Sequence, residues 1–364
     1  MRAPLSHGAI AMRPLLFLLA LILTVPFTLQ APLARAAGLY EADVPVASQD
    51  NSERDAGIRR ALQAVLVKVS GSRQVLQNPQ IAEAVSGASG RVLQFYFRSV
   101  SLPPDEVGVV ATELRLFASF QPATIDELLR RAGEPRLSAN RPASLVWLAI
   151  DEGAGPRLSS RDGDPVSIAW LEHHAAARAV PLRFPALDLE ELGAVPVETV
   201  AALDDAALVE PSVRYGAGTV VIARLVRGGT GEWIGEWKLR TGEDVVYGQG
   251  QAPTRSAVTE QLVAAVAESL STHFAVRAGL ENAEELRLRV DGISSLQDYR
   301  ALAAQLGRLG SVRQALPGLI ERDTVYVDLL TDSGIDSVMQ ELLLVPQLRP
   351  EGEPAERRFR WSAQ

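Results

Sequence analysis

The sequence predicts a multidomain protein of mixed α+β and α/β class, with three small units of which the last has the βαββαβ order of ferredoxin-like domains. Two observations support this prediction. Apolar residues recur at helical spacing in some stretches and alternate as in strands in others. In addition, a chain of 364 residues is longer than one core of ordinary size accommodates.

Residues 1–36 precede these units and have the pattern of a secretory signal peptide. Leu15–Val25, "LLFLLALILTV", is an apolar run of 11 residues. A membrane-spanning helix needs about 20 apolar residues, whereas a signal core has about 7–15. Ala34 and Ala36 supply the small residues that a signal peptidase accepts, so we expect cleavage after Ala36. An uncleaved membrane anchor is the alternative.

The amino-acid composition indicates in which compartment the protein resides and which classes of partner are excluded. The chain has no cysteine, which excludes disulfides, thiolate metal sites and lipid attachment through an N-terminal cysteine. Three of the 36 basic residues lie in the signal, which leaves 33 against 44 acidic residues. Such an acidic surface repels phosphate backbones, so we expect no nucleic-acid partner. We predict a soluble periplasmic protein with no stable membrane insertion after cleavage, because no second long apolar run follows.

The first predicted unit, residues 38–133, begins with an extended segment and a long amphipathic helix. Ser52 and Asp55 match a capping box at the helix start, and Gly71 stands where a left-handed C-terminal cap is favoured. The apolar face between them follows three- and four-residue steps: Ile58, Ala61, Leu62, Val65, Leu66 and Val69. Two alternating strands, "RVLQFYFRSV" and "VGVVATELRLFASF", and a closing helix complete the unit.

The second predicted unit, residues 144–277, follows the polar, proline-bracketed stretch "EPRLSANRPAS", which we interpret as a linker. The segments "LVWLAID" and "GTVVIARLV" are continuous apolar runs, typical of strands that are covered on both faces. The segments "EWIGEWKLR" and "EDVVYGQGQA" are predicted to form a hairpin. A long helix, "TRSAVTEQLVAAVAESLSTHFAV", closes the unit.

The third predicted unit covers residues 284–364. A strand that starts near Glu284 precedes a helix capped by Ser295, and "SVRQALPGLIERDTVYVDLLT" supplies two more strands. A second helix, "GIDSVMQELLL", follows. The segment "ERRFRW", Glu356–Trp361, is predicted to add a last strand at the sheet edge, which gives the βαββαβ order.

The sequence contains no familiar catalytic signature: no phosphate-binding loop, dinucleotide-binding glycine pattern, zinc-protease motif or nucleophile elbow. His173 and His174 are adjacent on a predicted helix and their side chains diverge, so we interpret them as half-exposed helix residues. Lys68 and Ser70 face opposite ways on their helix, which excludes a Ser–Lys pair and favours a surface position for Lys68. We therefore predict no catalytic residue, no metal site and no cofactor.

Two groups of residues are candidate binding sites. The first lies in the strand and helix start of the first unit: Val44, Val46, Gln49, Glu53 and Arg54. This segment either presents a docking face or serves only as the edge strand and helix cap that folding requires. The second candidate is the pair Trp233 and Trp237, which share one face of a predicted strand. The pair either stacks on sugar rings or fills the core beneath the closing helix.

The same stretches carry a resemblance to a known family. The signal, "LYEADVPVASQDNSERDAGIRRALQAVLVKVSG", "YFRS", "LRLFASF" and "LVWLAIDEG" resemble the bacterial envelope family called domain of unknown function 2066. That family has no assigned activity, so the resemblance implies no catalytic residue. The segment "RYGAGTVVIARL" of the middle unit is similar to part of the N-terminal α/β domain of the periplasmic Tol translocation protein.

These observations favour an uncharacterised, non-enzymatic envelope adaptor or binding protein with an envelope protein as its partner. One alternative is a protein that binds or hydrolyses peptidoglycan or another glycan in a cleft between units, with the Trp pair as its platform. A second alternative is a small-ligand receptor, which predicts a deep pocket at the boundary between units.

Overall fold

Hydrophobic clusters lie between helices and β-sheets throughout the described part of the chain. The computed structural model describes residues 38–276, 284–331 and 333–362. The predicted signal peptide, residues 1–36, lies outside the described residues. Helices and strands are both abundant, which confirms the predicted mixed class.

The first cluster is built around the helix that the apolar spacing predicted. The elements in chain order are β1 (Glu41–Pro45), α1 (Asn51–Ser70), α2 (Pro79–Ser86), β2 (Val92–Ser101), β3 (Thr112–Phe120) and α3 (Pro122–Arg131). The three strands form an antiparallel sheet in the order β1-β3-β2. The predicted apolar face of α1 is buried in the cluster that also contains Leu116 and Phe120 of β3. Burying that face stabilises the helix more than its intrinsic propensity does.

The end of α1 confirms the predicted role of Gly71. This residue has φ 81°, a left-handed conformation, and its N–H donates to the Val67 carbonyl at 2.8 Å. A side chain here has no room either, because a Cβ atom would lie 2.8 Å from Cβ of Ser271. Only glycine satisfies both the backbone angle and the close approach.

The middle part of the chain is an α/β layer. Its elements are β4 (Arg136–Leu137), β5 (Ser144–Asp151), β6 (Arg157–Leu158), α4 (Pro165–Arg178), β7 (Leu182–Arg183), α5 (Leu189–Ala194), α6 (Val197–Ala201), α7 (Val209–Ser212), β8 (Thr219–Arg227), β9 (Trp233–Thr241), β10 (Asp244–Ala252), α8 (Arg255–Phe274) and β11 (Ala275–Val276). The sheet order is β10-β9-β8-β5-β6, with β7 also beside β5. Strands β5 and β8 are parallel, and a separate cluster packs on each face of β5, as its apolar run predicted.

The last part of the chain contains a five-stranded sheet in the order β13-β14-β12-β16-β15. Its elements are β12 (Glu284–Asp291), α9 (Leu296–Leu306), β13 (Val312–Glu321), β14 (Thr324–Thr331), α10 (Ile335–Leu343), β15 (Leu348–Glu351) and β16 (Arg358–Trp361). The βαββα order is as predicted. The position predicted for the last strand is wrong, because β16 lies parallel to β12 inside the sheet and β15 takes the edge. Phe359 of β16 is buried, which explains its central place.

The segment predicted as a linker makes many contacts. Strand β4 pairs with β11, and the Arg136 guanidinium donates to the carbonyls of Leu309 and Gly310 at 2.6 and 2.8 Å. Contacts place the described residues in one compact unit. The boundaries 38–133, 144–277 and 284–364 therefore stay predictions.

Arg141, at the end of the same segment, occupies the C-terminal ends of two helices. Its buried guanidinium donates to the Lys68 carbonyl in the last turn of α1, and to the carbonyls of Arg178 and Ala179 at the end of α4 at 2.9 and 3.0 Å. A cation at a helix C-terminus is stabilised by the helix dipole, and these carbonyls have no partner within their own helices. Burial lowers the pKa of Arg141 to about 10, so the group stays charged at neutral pH.

We predict that Arg141→Met lowers the free energy of unfolding by about 3–5 kcal/mol, since it leaves several buried carbonyls without a donor. Chemical denaturation followed by circular dichroism measures the change. Arg59→Met is the matched control, because Arg59 is an exposed arginine on α1. Equal stability of the two variants would contradict the role given to Arg141.

Candidate functional site

The structure divides the predicted docking segment into buried and exposed residues. Val44 and Val46 are buried in the first cluster, so they stabilise the core and present no surface to a partner. Gln49 is exposed, and Glu53 and Arg54 are partly exposed at the start of α1. The docking face predicted from this segment therefore reduces to its polar residues.

The helix start differs from the predicted capping box of Ser52 and Asp55. Asp50 is the N-cap, and its side chain makes no capping hydrogen bond. Instead, the Glu53 carboxylate accepts from the Ala47 N–H at 3.3 Å and from Arg60 Nη2 at 2.6 Å. The bond from Arg60, and then the bond from Ala47, lower the pKa of Glu53. Glu53 thus links the segment after β1 to α1, and its carboxylate is used in structural contacts.

Strand β2 has one free edge and an unusual exposure of apolar side chains. It pairs only with β3, and no other described strand lies beside it. Leu93, Phe95 and Tyr96 are 66%, 41% and 50% exposed. A free strand edge offers unpaired N–H and C=O groups to another chain, and exposed apolar side chains add area that a partner can bury.

Aromatic rings and guanidinium groups pack together on both faces of β2. On the face toward α1, the Phe95 ring lies 6.2 Å from that of Phe97, and the Arg54 guanidinium lies 5.9 Å above Phe95. On the opposite face, Tyr96 stacks on Phe117 at 5.0 Å, and the Arg98 guanidinium lies 4.5 Å from the Phe117 ring. We define the β2 edge as Arg54, Leu93, Phe95, Tyr96 and Arg98.

The β2 edge is positive in an otherwise acidic chain. Residues 84–104 contain Arg91 and Arg98 and no acidic residue. In the described part of the chain, Arg98 forms no ion pair, whereas Arg54 pairs with Asp55 at 3.0 Å. The strand itself was predicted from the sequence, but its exposure was missed. The absence of acidic residues around an alternating apolar strand was the signal that could have indicated it.

Trp233 and Trp237 lie in the core, which agrees with the second of the two interpretations of this pair. Both indoles are buried in the cluster under α8, and the Arg255 guanidinium lies 4.5 Å from the Trp233 ring. Gly248 on the neighbouring strand makes room for Trp237, because a Cβ there would clash with its indole. Neither indole ring is exposed, so Trp233 and Trp237 cannot form the sugar-stacking surface considered as the first interpretation.

The position predicted for Lys68 is wrong. Its side chain is buried, and its ammonium group donates to the carbonyls of Gly38 and Glu41 at 3.0 and 2.7 Å. Burial lowers the pKa of Lys68 to about 8. The ammonium group therefore ties the start of the described chain to the last turns of α1.

His173 and His174 are half-buried, as predicted. Trp170 on the same helix stacks on His174 with 5.5 Å between the rings, and His174 Nε2 lies 3.2 Å from the Ser256 hydroxyl. Burial lowers the pKa of His173, and it lowers that of His174 to about 4. Both rings are therefore neutral at pH 7.

Across residues 38–276, 284–331 and 333–362, no three His, Asp or Glu side chains are grouped so that they could hold a metal ion. None of the helices in the described part of the chain is both long enough and apolar enough to cross a bilayer.

Residues 34–138 match the family model described as Domain of unknown function (DUF8605). This match covers the β1–β3 sheet and the β2 edge. It agrees with the expectation of an uncharacterised domain, but the family is a different one from domain of unknown function 2066, and it lends no support to the likeness to the Tol protein. A search of curated proteins found no match.

We predict that alkaline pH stabilises the protein through Lys68. The pKa of Lys68 is about 8 in the folded protein and 10.5 in the unfolded chain. Burying the charged ammonium group therefore lowers the free energy of unfolding most below pH 8, and this loss disappears above pH 10.5. Relative to Lys68→Met, the free energy of unfolding of the unaltered protein should rise by about 2 kcal/mol between pH 7.5 and pH 10. Denaturant titrations of both proteins at a series of pH values measure this difference, and a constant difference would contradict the assignment.

Proposed function

We propose that this protein is a non-enzymatic binding protein of the cell envelope, and that it binds an extended segment of another envelope protein along the β2 edge. The observation that carries this proposal is a ten-residue strand with one free edge and three exposed large apolar side chains. An added strand would gain backbone hydrogen bonds from the edge and specificity from side-chain contacts on both faces.

The charge of the β2 edge indicates the chemistry of the partner. Arg54 and Arg98 flank the exposed rings of Phe95 and Tyr96, and Arg98 has no carboxylate partner among the described residues. A segment that alternates apolar and acidic residues would complement this pattern. A second copy of the chain is a poor occupant, because two positive edges would meet and both chains carry the same net negative charge.

Among the other edge strands of the described sheets, β13 and β10 are the longest, but they are less suitable than β2. The pairing of β13 with β14 shifts register at two points, which interrupts a regular edge. Strand β10 begins beside Glu243 and contains Gly248 and Gly250, so it combines negative charge with small side chains. It nevertheless presents Tyr247, which is 53% exposed, and this residue is a natural control for Tyr96.

We propose the periplasm as the compartment, reached through cleavage of residues 1–36. The apolar run, the small residues before the cleavage position and the lack of cysteine support this location. We also propose two more distant relationships. The quoted sequence segments support a link to domain of unknown function 2066, and the parallel pair β5 and β8 between helices supports one to the N-terminal Tol domain.

We predict that a photo-crosslinking amino acid at position 96 traps a defined envelope protein in living cells, whereas the same amino acid at position 247 does not. The crosslink should map to an extended, acidic segment of the partner. Combining the crosslinker at position 96 with Arg98→Glu should reduce the amount of adduct about tenfold, because the substitution replaces a positive charge of the β2 edge by a negative one. Mass spectrometry identifies the partner and the crosslinked segment.

Val246→Ser on β10 is the matched control for Arg98→Glu, because both positions are exposed strand residues. Thermal unfolding of each variant checks that it remains folded. Equal adducts from both positions, adducts with a second copy alone, or an adduct insensitive to Arg98→Glu would each contradict the proposal.

A further inference from the structure

A pocket of about 400 Å³ lies between α1, α4, α8 and the turn that follows α1. Its walls are mainly apolar and come from four separate elements: Ala64, Val67, Leu76, Ala177 and Val263. Four polar or charged side chains complete the lining: Arg73, His174, Arg178 and Glu260. The pocket therefore combines mainly apolar walls with charged side chains.

The Arg178 guanidinium is the feature of this pocket that lacks an explanation. Its Nη1 and Nη2 atoms are buried and have no hydrogen-bond partner among the described residues. Burial lowers the pKa of Arg178, and the positive charge of Arg73 lowers it further. A buried cation without a hydrogen-bond partner costs free energy, so such groups commonly hold an anion or ordered water.

The neighbouring charges do not supply the missing partner. Glu260 is paired with Arg73 at 3.1 Å, and Glu268 accepts from the Arg73 N–H at 2.8 Å. His174 is neutral at pH 7 and lies 3.2 Å from Ser256. The negative charges of Glu260 and Glu268 nevertheless act on Arg178, so they would favour a ligand with one negative charge over a ligand with two.

The backbone holds Arg178 in place. Its carbonyl accepts from buried Arg141, so the end of α4 is fixed against α1. A guanidinium can bind a carboxylate or phosphate with two parallel hydrogen bonds. The apolar walls beside it suit a hydrocarbon chain.

We propose that this pocket binds a small amphiphilic anion, with one acidic head group on Arg178 and a short apolar chain against Val67, Leu76 and Val263. Carboxylate and phosphate head groups share the chemistry that Arg178 recognises. The chain length is limited by the size of the pocket.

Isothermal titration calorimetry of the purified protein tests the proposal with four probes: octanoate, octyl phosphate, octanol and acetate. At least one of the two octyl anions should bind saturably at one site. Octanol, which lacks the charge, and acetate, which lacks the chain, should each bind at least tenfold more weakly. Comparing octanoate with octyl phosphate shows which head group is preferred.

Arg178→Met should weaken binding of the octyl anion at least tenfold, whereas Arg59→Met, which changes an exposed arginine of α1, should leave it unchanged. Arg178→Lys retains the charge and serves as a second variant if the Met variant unfolds. Equal affinity for octanol and the octyl anions, no saturable binding of either anion, or an Arg178 variant that is folded and binds as tightly as the unaltered protein would overturn the proposal.

Discussion

The buried guanidinium of Arg141 is the contact on which the arrangement of the first and middle parts of the chain depends. It lies where two helices end and donates to backbone carbonyls of both. No carboxylate of the described residues pairs with it, so helix dipoles and peptide carbonyls balance its charge. Ser271 of α8 completes the contact by donating to the Ser70 carbonyl at 2.8 Å, beside the glycine that ends α1.

This constraint connects the two surfaces to which we assign binding. Helix α1 carries Arg54 at its start, beside the β2 edge, and its later turns line the pocket with Ala64 and Val67. Helix α4 ends at Arg178, whose carbonyl Arg141 holds. Because one buried contact fixes both helices, the two surfaces have a common structural basis although they differ in chemistry. One is a positive strand edge, and the other is a mainly apolar pocket whose lining includes the Arg178 side chain.

The ionisable groups of the described chain are used mainly in structural contacts. Lys68, Arg136 and Arg141 donate to backbone carbonyls, and Glu53 accepts from a backbone N–H. The lowered pKa values of Lys68 and Arg141 therefore accompany burial and packing. Among the described residues, packing does not explain the exposed apolar side chains of β2 or the buried Arg178 guanidinium, whose Nη atoms have no hydrogen-bond partner. Such features favour binding, which depends on shape and complementary charge.

The sequence by itself determined the elements with a local cause: the apolar face of α1, its glycine end, the doubly covered strand β5 and the βαββα order near the C-terminus. Each follows from residue spacing or backbone conformation within a short segment. It did not determine that Lys68 is buried, that β16 is inserted beside β12, or that β2 has a free edge. Nor did it determine that the Arg178 guanidinium has no hydrogen-bond partner among the described residues. Only the tertiary structure decided these points, because burial and pairing depend on which distant segments pack together, and no local pattern encodes that choice.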